Sequence, residues 1–404
     1  MKPMSGCALF GANKVFTGVK DAVVLQHSVI GCHWGSLNFH CANNFCDIRQ
    51  ASTVIYEENV INGETDLLVK SIKEIEDLYK NINTVFIISG CIPNIIGDDI
   101  DGILNDIHSS KNLIHCSLPG YAKEYDEGIE DAFKCLINLI QDLPRSDLPS
   151  INIIGITADD PYVNNDILYL KKFLKNKVHF NCCTNNCTVE DISKMSTVWL
   201  NIVLGYGKDL AVYLKQKYNI PFLELDYPYG IQGIIDFLVK VGNKLKVDFT
   251  TEIRQIETGG IELVKKSIYY LTNIYQLPAA VIGDKSHLSG MRNFVENELG
   301  MNVVIELEHN VNADYLEAEI LKWKPVIIFA SSFEKFYADK YSIPLVRYIY
   351  PVYDCVNLTS VGFIGIEGTG YLLEKIINLT LQLDCKVDGI YGKLKLKEND
   401  YDEE

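Results

Sequence analysis

The sequence predicts an α/β protein of three domains, each a parallel sheet flanked by helices. Strand-like apolar runs alternate with helical patterns from end to end, which calls for parallel strands joined by right-handed crossovers. A chain of 404 residues is too long for one ordinary core and fits two or three domains. Two composition breaks divide it: the polar "QDLPRSDLPS" (141–150), and the end of a long helical stretch over roughly 251–276, which holds Gly259 and Gly260 and stops before "LPAAVIG". The expected units are therefore 1–148, 149–272 and 273–404, each Rossmann-like, and the last ends in the acidic, solvated tail "LKENDYDEE".

In chain order, strands are expected at 22–27 ("AVVLQH"), 84–89 ("TVFIIS") and 112–117 ("NLIHCS") in the first unit. The second has 151–157 and 198–205, and the third has 278–283, 302–307, 324–330 and 344–349. Continuous Val/Ile/Leu runs of this length suit strands buried on both faces. Helices carry the 3.6 period: Ile231, Ile234, Ile235, Leu238, Val241 and Leu245 fall on one stripe.

Composition narrows the function classes. The chain has 53 acidic against 37 basic residues, a net charge of −16, which argues against nucleic acid or anionic lipid as a partner. No apolar run reaches the roughly 18–20 residues that cross a bilayer, and "MKPMSGCALFG" lacks a secretory apolar region. A cytoplasmic protein is expected, with its twelve cysteines mostly reduced. Their spacing does not match a zinc ribbon. There is neither a GxGxxG with its acidic ribose partner nor a GxxxxGK[ST], so a nicotinamide dehydrogenase and a P-loop ATPase lack support.

Three cysteines share a local signature. Cys7 ("SGCALFG"), Cys32 ("VIGCHWG") and Cys91 ("SGCIPNIIG") each follow a glycine, and none of the other nine does. Cys32 and Cys91 also follow predicted strands, and in open α/β sheets ligands bind at the carboxyl ends of strands. Thiolates that hold iron–sulfur clusters accept hydrogen bonds from nearby backbone N–H groups, and glycine lets backbone come close. In "PNIIGDDI", Pro93 shapes a turn, Gly97 bends it and Asp98 is the expected helix N-cap.

On these residues the chain resembles the nitrogenase component 1 superfamily: molybdenum–iron protein subunits, their cofactor-assembly scaffold relatives and the nitrogenase-like tetrapyrrole reductases. The glycine-flanked cysteines stand in order at intervals of 25 and 59 residues, followed by "GDDI", "LPGYAKEYDEGIEDAF", "GDKSHLSGMRNFVENELGM" and "IPLVRYIYPVYD", the last most like the β-type subunit. The resemblance implies a nitrogenase component 1-like fold. It also implies that Cys7, Cys32 and Cys91 ligate an iron–sulfur cluster, [4Fe-4S] or a larger P-cluster-like one, at an interface with a homo- or heterodimeric component 1 partner subunit. An ATP-dependent iron protein would supply the electrons. The chain departs from the catalytic pattern where a second cofactor's cysteine and histidine belong: Gly205 stands at the first, and 355–358 holds no histidine. The expected role is a β-type subunit of a nitrogenase-like reductase. The alternatives are a scaffold for metallocofactor assembly and a tetrapyrrole reductase component.

Three thiolates are one short of a four-cysteine cubane. Cys41, Cys46 and Cys355 are candidates for the missing ligand, alongside a partner chain or solvent. Cys182, Cys183 and Cys187 in "NCCTNNC" are expected in a loop, as a second metal site or as inert thiols. Cys116, Cys135 and Cys385 are expected to be buried packing residues. His27, His33 and His40 cluster around Cys32 and are weighed as packing groups against a cluster hydrogen bond from His33. Trp34 is expected to pack over the site and exclude water.

Overall fold

The computed structural model describes residues 6–42, 49–62, 65–309 and 311–381. The first sheet contains β1 (Ala22–His27), β2 (Gln50–Ser52), β3 (Thr84–Ser89) and β4 (Asn112–Ser117) in the order β2-β1-β3-β4. The second contains β5 (Ser150–Ile154), β6 (His179–Cys183), β7 (Leu200–Val203) and β8 (Phe222–Glu224), ordered β6-β5-β7-β8. The third contains β9 (Pro278–Gly283), β10 (Asn302–Glu308), β11 (Ile327–Ala330) and β12 (Leu345–Arg347), ordered β10-β9-β11-β12. One topology thus recurs three times, with every characterised pairing parallel. In each sheet the chain leaves the first strand in one direction and returns on its other side. That places a topological switch point, where doubly wound sheets bind ligands, between the first and third strands.

The first sheet is served by α1 (Ala8–Phe16), α2 (Ile30–Ala42), α3 (Glu57–Asn62), α4 (Thr65–Leu78), α5 (Cys91–Ile96), α6 (Ile100–Asp106) and α7 (Tyr125–Cys135). Alternation along β1 sorts its side chains between two cores. Val23 and Leu25 pack with Leu68 and Ile72 of α4, whereas Ala22 and Val24 join α1 and α7 in a core that runs on to Ile154 and Val203 of the second sheet. Another core joins the second and third sheets through Ile151, Ile202, Ala279, Val281 and Phe329. The last helix among the described residues, Gly365–Leu381, folds back onto the helices Gly230–Leu245 and Thr250–Leu271.

All nine expected strands are present. The three-residue edge strands β2 and β8 are too short to leave a pattern. The loop expected at 181–187 is corrected, because β6 runs through Cys183. Its polar Asn181 is accommodated by a ladder across the sheet: Asn181 Nδ2 donates to Asn152 Oδ1 (2.9 Å), and Asn152 Nδ2 donates to Asn201 Oδ1 (2.8 Å). Cys46, Cys385, the acidic tail and the side chains of His40 and Cys41 lie outside the described residues.

A candidate three-cysteine site

The site begins with strand register. β1 and β3 pair over their whole length, from Ala22↔Thr84 to His27↔Ser89, and Ser89 is level with Ser117 of β4. Three strands therefore end together. The chain leaving β1 reaches α2 and Cys32, the chain leaving β3 reaches Cys91 within two residues, and the chain leaving β4 reaches the Pro119–Gly120 turn. Cys32 and Cys91 thus flank the switch point of this sheet. Cys7 enters from the other direction as the N-cap of α1, with extended backbone (φ −111°, ψ −174°).

The three thiols converge. A Cβ placed on Gly120 would stand 2.7 Å from Sγ of Cys7 and 3.6 Å from Sγ of Cys91, so position 120 forms a cradle that only glycine leaves open. All three cysteines are half-buried. Burial raises the Cys7 thiol above its ordinary value; the nearby Leu9 and Phe10 amides oppose this, and nearby Cys91 adds to the rise. Burial raises Cys32 too, reinforced by Cys7 and Cys91 and opposed by a hydrogen bond with Ser28. Three thiolates gathered in a half-dry place repel one another unless a cationic centre shares them, which is the chemistry of a metal-cluster site. The donor set, the amides at Cys7 and the Gly120 cradle all fit an iron–sulfur group.

The surroundings hold this geometry. Asn94 Nδ2 donates to the Gly90 carbonyl (2.8 Å), and Asn94 Oδ1 accepts from the Ser117 hydroxyl (2.8 Å), which ties α5 to two strand ends. His115 bridges Ser89 Oγ (2.9 Å) and Asp101 Oδ1 (2.7 Å). His27 is held by Thr53 Oγ1 (3.0 Å), and burial lowers it to about 4, so it is neutral and structural. His33 is lowered by burial, and its Nδ1 has no hydrogen-bond partner among the described residues.

Three local expectations need correction. The segment after Cys91 is a helix with Pro93 inside it; Gly97 is its left-handed C-cap (φ 78°), and Asp99, not Asp98, caps α6 by accepting from Gly102 N (3.0 Å). Trp34 is 58% exposed and does not seal the site. A Cβ on Gly90 would press on Ser28 and Leu9 rather than on a thiol, so the glycine that makes room is Gly120. The only sequence signal for Gly120 was the "LPG" turn itself.

The remaining cysteines lie elsewhere. Cys182 and Cys187 enter the core shared by the first two sheets, while Cys183 points through the opposite face of β6 into the core shared by the last two. Alternation along a strand thus keeps the three from facing one point. Burial raises Cys183 to about 12. Cys116 is buried, and Cys135 is partly exposed at the end of α7. Cys355 is exposed and lies near Arg347, Asp354 and Lys375. At Gly205 (φ +80°) a Cβ would stand 2.5 Å from the backbone of Lys285 and Ser286, so no side chain fits there without movement. No helix among the described residues is long and apolar enough to cross a membrane.

Comparison with known proteins agrees with this architecture. The chain is 24% identical over 409 residues to a nitrogenase molybdenum-iron protein alpha chain of Methanothermobacter marburgensis, covering 89% of this chain and 84% of that one. It is 27% identical over 316 residues to the nitrogenase iron-molybdenum cofactor biosynthesis protein NifE of Clostridium pasteurianum, covering 74% and 67%. Its fold matches the solved structure of nitrogenase Cp1 at pH 6.5 with a TM-score of 0.83 and 17% identity, covering 96% of this chain and 94% of that one. Residues 7–315, from the first of the three converging cysteines through β10 of the third sheet, match the profile of the nitrogenase component 1 type oxidoreductases, and the chain belongs to that family.

Proposed function

We propose that this chain is the cluster-binding, β-type subunit of a nitrogenase-like two-component reductase. Cys7, Cys32 and Cys91 hold an iron–sulfur cluster, [4Fe-4S] or larger, shared with a partner subunit. When bound, that group supplies one-electron chemistry, with electrons delivered by a separate ATP-dependent iron protein. The observation that carries this reading is the convergence of three half-buried thiols at a sheet's switch point, backed by Gly120. The protein's part is to orient the sulfurs, set the Leu9 and Phe10 amides beside Cys7 and limit water around the site. Anaerobic purification should give iron and acid-labile sulfide in similar amounts with a low-temperature EPR signal, all strongly reduced in Cys91→Ala. Iron content unchanged by that substitution would overturn the assignment.

Gly205 favours one second reading, a scaffold that assembles a metallocofactor for another protein. The backbone at 285–286 closes the position where the resemblance places a second-cofactor cysteine. Turnover with iron protein and ATP supports the reductase; transfer of metal cargo to an apo-acceptor without turnover supports the scaffold.

A further inference from the structure

A second chemistry-bearing constellation lies where the tips of the second and third sheets meet. Asp159 and Asp160 follow β5, and Asp284 and His287 follow β9, each the first strand of its sheet. The Ser286 hydroxyl lies 2.9 Å from the Gly155 carbonyl and 2.8 Å from that of Leu204, which locks the two sets of tips together. Helix α1 brings Lys14 and α7 brings Tyr125 into the same buried space. Oxygen and nitrogen atoms of Asp160, Asp284 and His287 lie within 4.8 Å of one another, and all three residues are buried. We propose that Asp160, Asp284 and His287 bind one divalent transition-metal cation, with His309 available as a further nitrogen donor.

Charge supports this. Lys14 Nζ lies 3.1 Å from Asp160 and 3.7 Å from Asp159, and its field reaches Asp284. With His287 neutral, as a metal ligand must be, three buried carboxylates face one ammonium, an imbalance of two formal charges. Buried charge is costly unless compensated, and one dication restores neutrality. Asp284 Oδ1 and His287 Nδ1 lie 2.9 Å apart, and a cation bound between them would displace the proton they share.

An independent observation points to a missing occupant. The His309 amide donates to the Gly283 carbonyl (3.0 Å), which places His309 beside Asp284 at the tip of the neighbouring strand. The residue is 7% exposed, yet its Nε2 has no hydrogen-bond partner among the described residues; nor does the hydroxyl of buried Tyr125, whose ring packs edge-on against His309 at 5.7 Å. Both groups lie in the field of Asp160 and Asp284. A self-sufficient ion-pair network would not strand an imidazole nitrogen and a phenol, since buried polar atoms are normally paired. Two carboxylates with one or two imidazoles suit Fe²⁺, Mn²⁺ or Zn²⁺ better than Ca²⁺ or Cu⁺.

The test uses the full chain and Mn²⁺ as the probe. Titration followed by the EPR signal of free Mn²⁺ should show one tight site per chain in the wild type, retained in Cys91→Ala. That arm separates this site from the three-cysteine cluster, so either assignment can fail alone. Asp284→Asn and His287→Gln should weaken the site by about ten-fold or more. Should the variants not fold, anomalous scattering from Mn²⁺-soaked wild-type crystals reads the position directly, with a peak expected between Asp160, Asp284 and His287. Absence of a stoichiometric site, affinity unchanged in both variants, or a peak elsewhere overturns the proposal and leaves the cluster a structural bolt of the Lys14 and His287 ion pairs.

Discussion

A single methyl group at position 120 would stand 2.7 Å from both Cβ and Sγ of Cys7. Gly120→Ala should therefore displace that thiol or the turn itself, at a cost of about 1–3 kcal/mol in stability, with iron per chain falling more than far-UV dichroism changes. Full iron occupancy in this variant would mean that the turn yields freely. Asp166 offers a different test. Its buried carboxylate accepts from the amides of Phe363 (2.6 Å) and Ile364 (3.0 Å) and from the Tyr227 hydroxyl (2.7 Å). Burial outweighs these bonds and raises the carboxyl from 3.8 to about 6. The folded state thus holds this proton more tightly than the unfolded chain does, so the group's contribution is full below about pH 4, falls as pH rises and levels off above about 6. Two units correspond to at most ~3 kcal/mol. Denaturant unfolding of the wild type and Asp166→Asn at pH 4 and 6.5 should show the wild type losing up to that amount relative to the variant. At this scale the three converging cysteines were legible as a set because each follows a glycine and two follow strong strands. Gly120 and Asp166 were not, since each takes its meaning from residues distant in the chain.

Helix α1 carries Cys7 at one end and Lys14 near the other, so its seating bears on both sites. It crosses α7 at contact distance through a pair of glycines. A Cβ on Gly11 would lie 2.1 Å from the Tyr125 carbonyl oxygen, and one on Gly128 would lie 2.0 Å from that of Ala8. Both obstacles are backbone, so no rotamer change relieves them. Gly128→Ala must push the helices apart, and it should lower stability by roughly 1–3 kcal/mol and reduce iron content by moving Cys7. Thermal unfolding with iron analysis checks both, and a variant as stable as the wild type would show that the crossing is loose. Element type was largely readable from apolar runs, because parallel strands buried on both faces are continuously hydrophobic. The reading failed where polar residues pair within the sheet, as in β6. It also failed where two helix starts follow closely, so that Asp99 rather than its neighbour caps α6.

At the scale of the whole molecule, the segments that bear the three thiols also expose apolar side chains. Val29, Ile30 and Trp34 flank Cys32, Ile95 lies one turn beyond Cys91, and Tyr121 adjoins Gly120; they are between 36% and 65% exposed. Exposed apolar groups grouped around a functional site mark an interaction surface. On a chain of net charge −16 they offer an association face that needs no opposite charge. A stable protein interface covers about 800 Å² on each partner with aromatic anchors near its centre, and Trp34, 58% exposed, is the largest such group here. Trp34→Glu should thus shift the assembly toward monomer in sedimentation velocity while leaving far-UV dichroism unchanged. Iron content should fall with it if, as proposed, the partner supplies part of the cluster's ligands. Leu168→Glu, on the helix Val163–Leu174 of the second unit and 63% exposed, serves as the control and should change neither. If Trp34→Glu kept the wild-type assembly and iron content, the shared-cluster arrangement would have to be abandoned in favour of one whose ligands all come from a single chain.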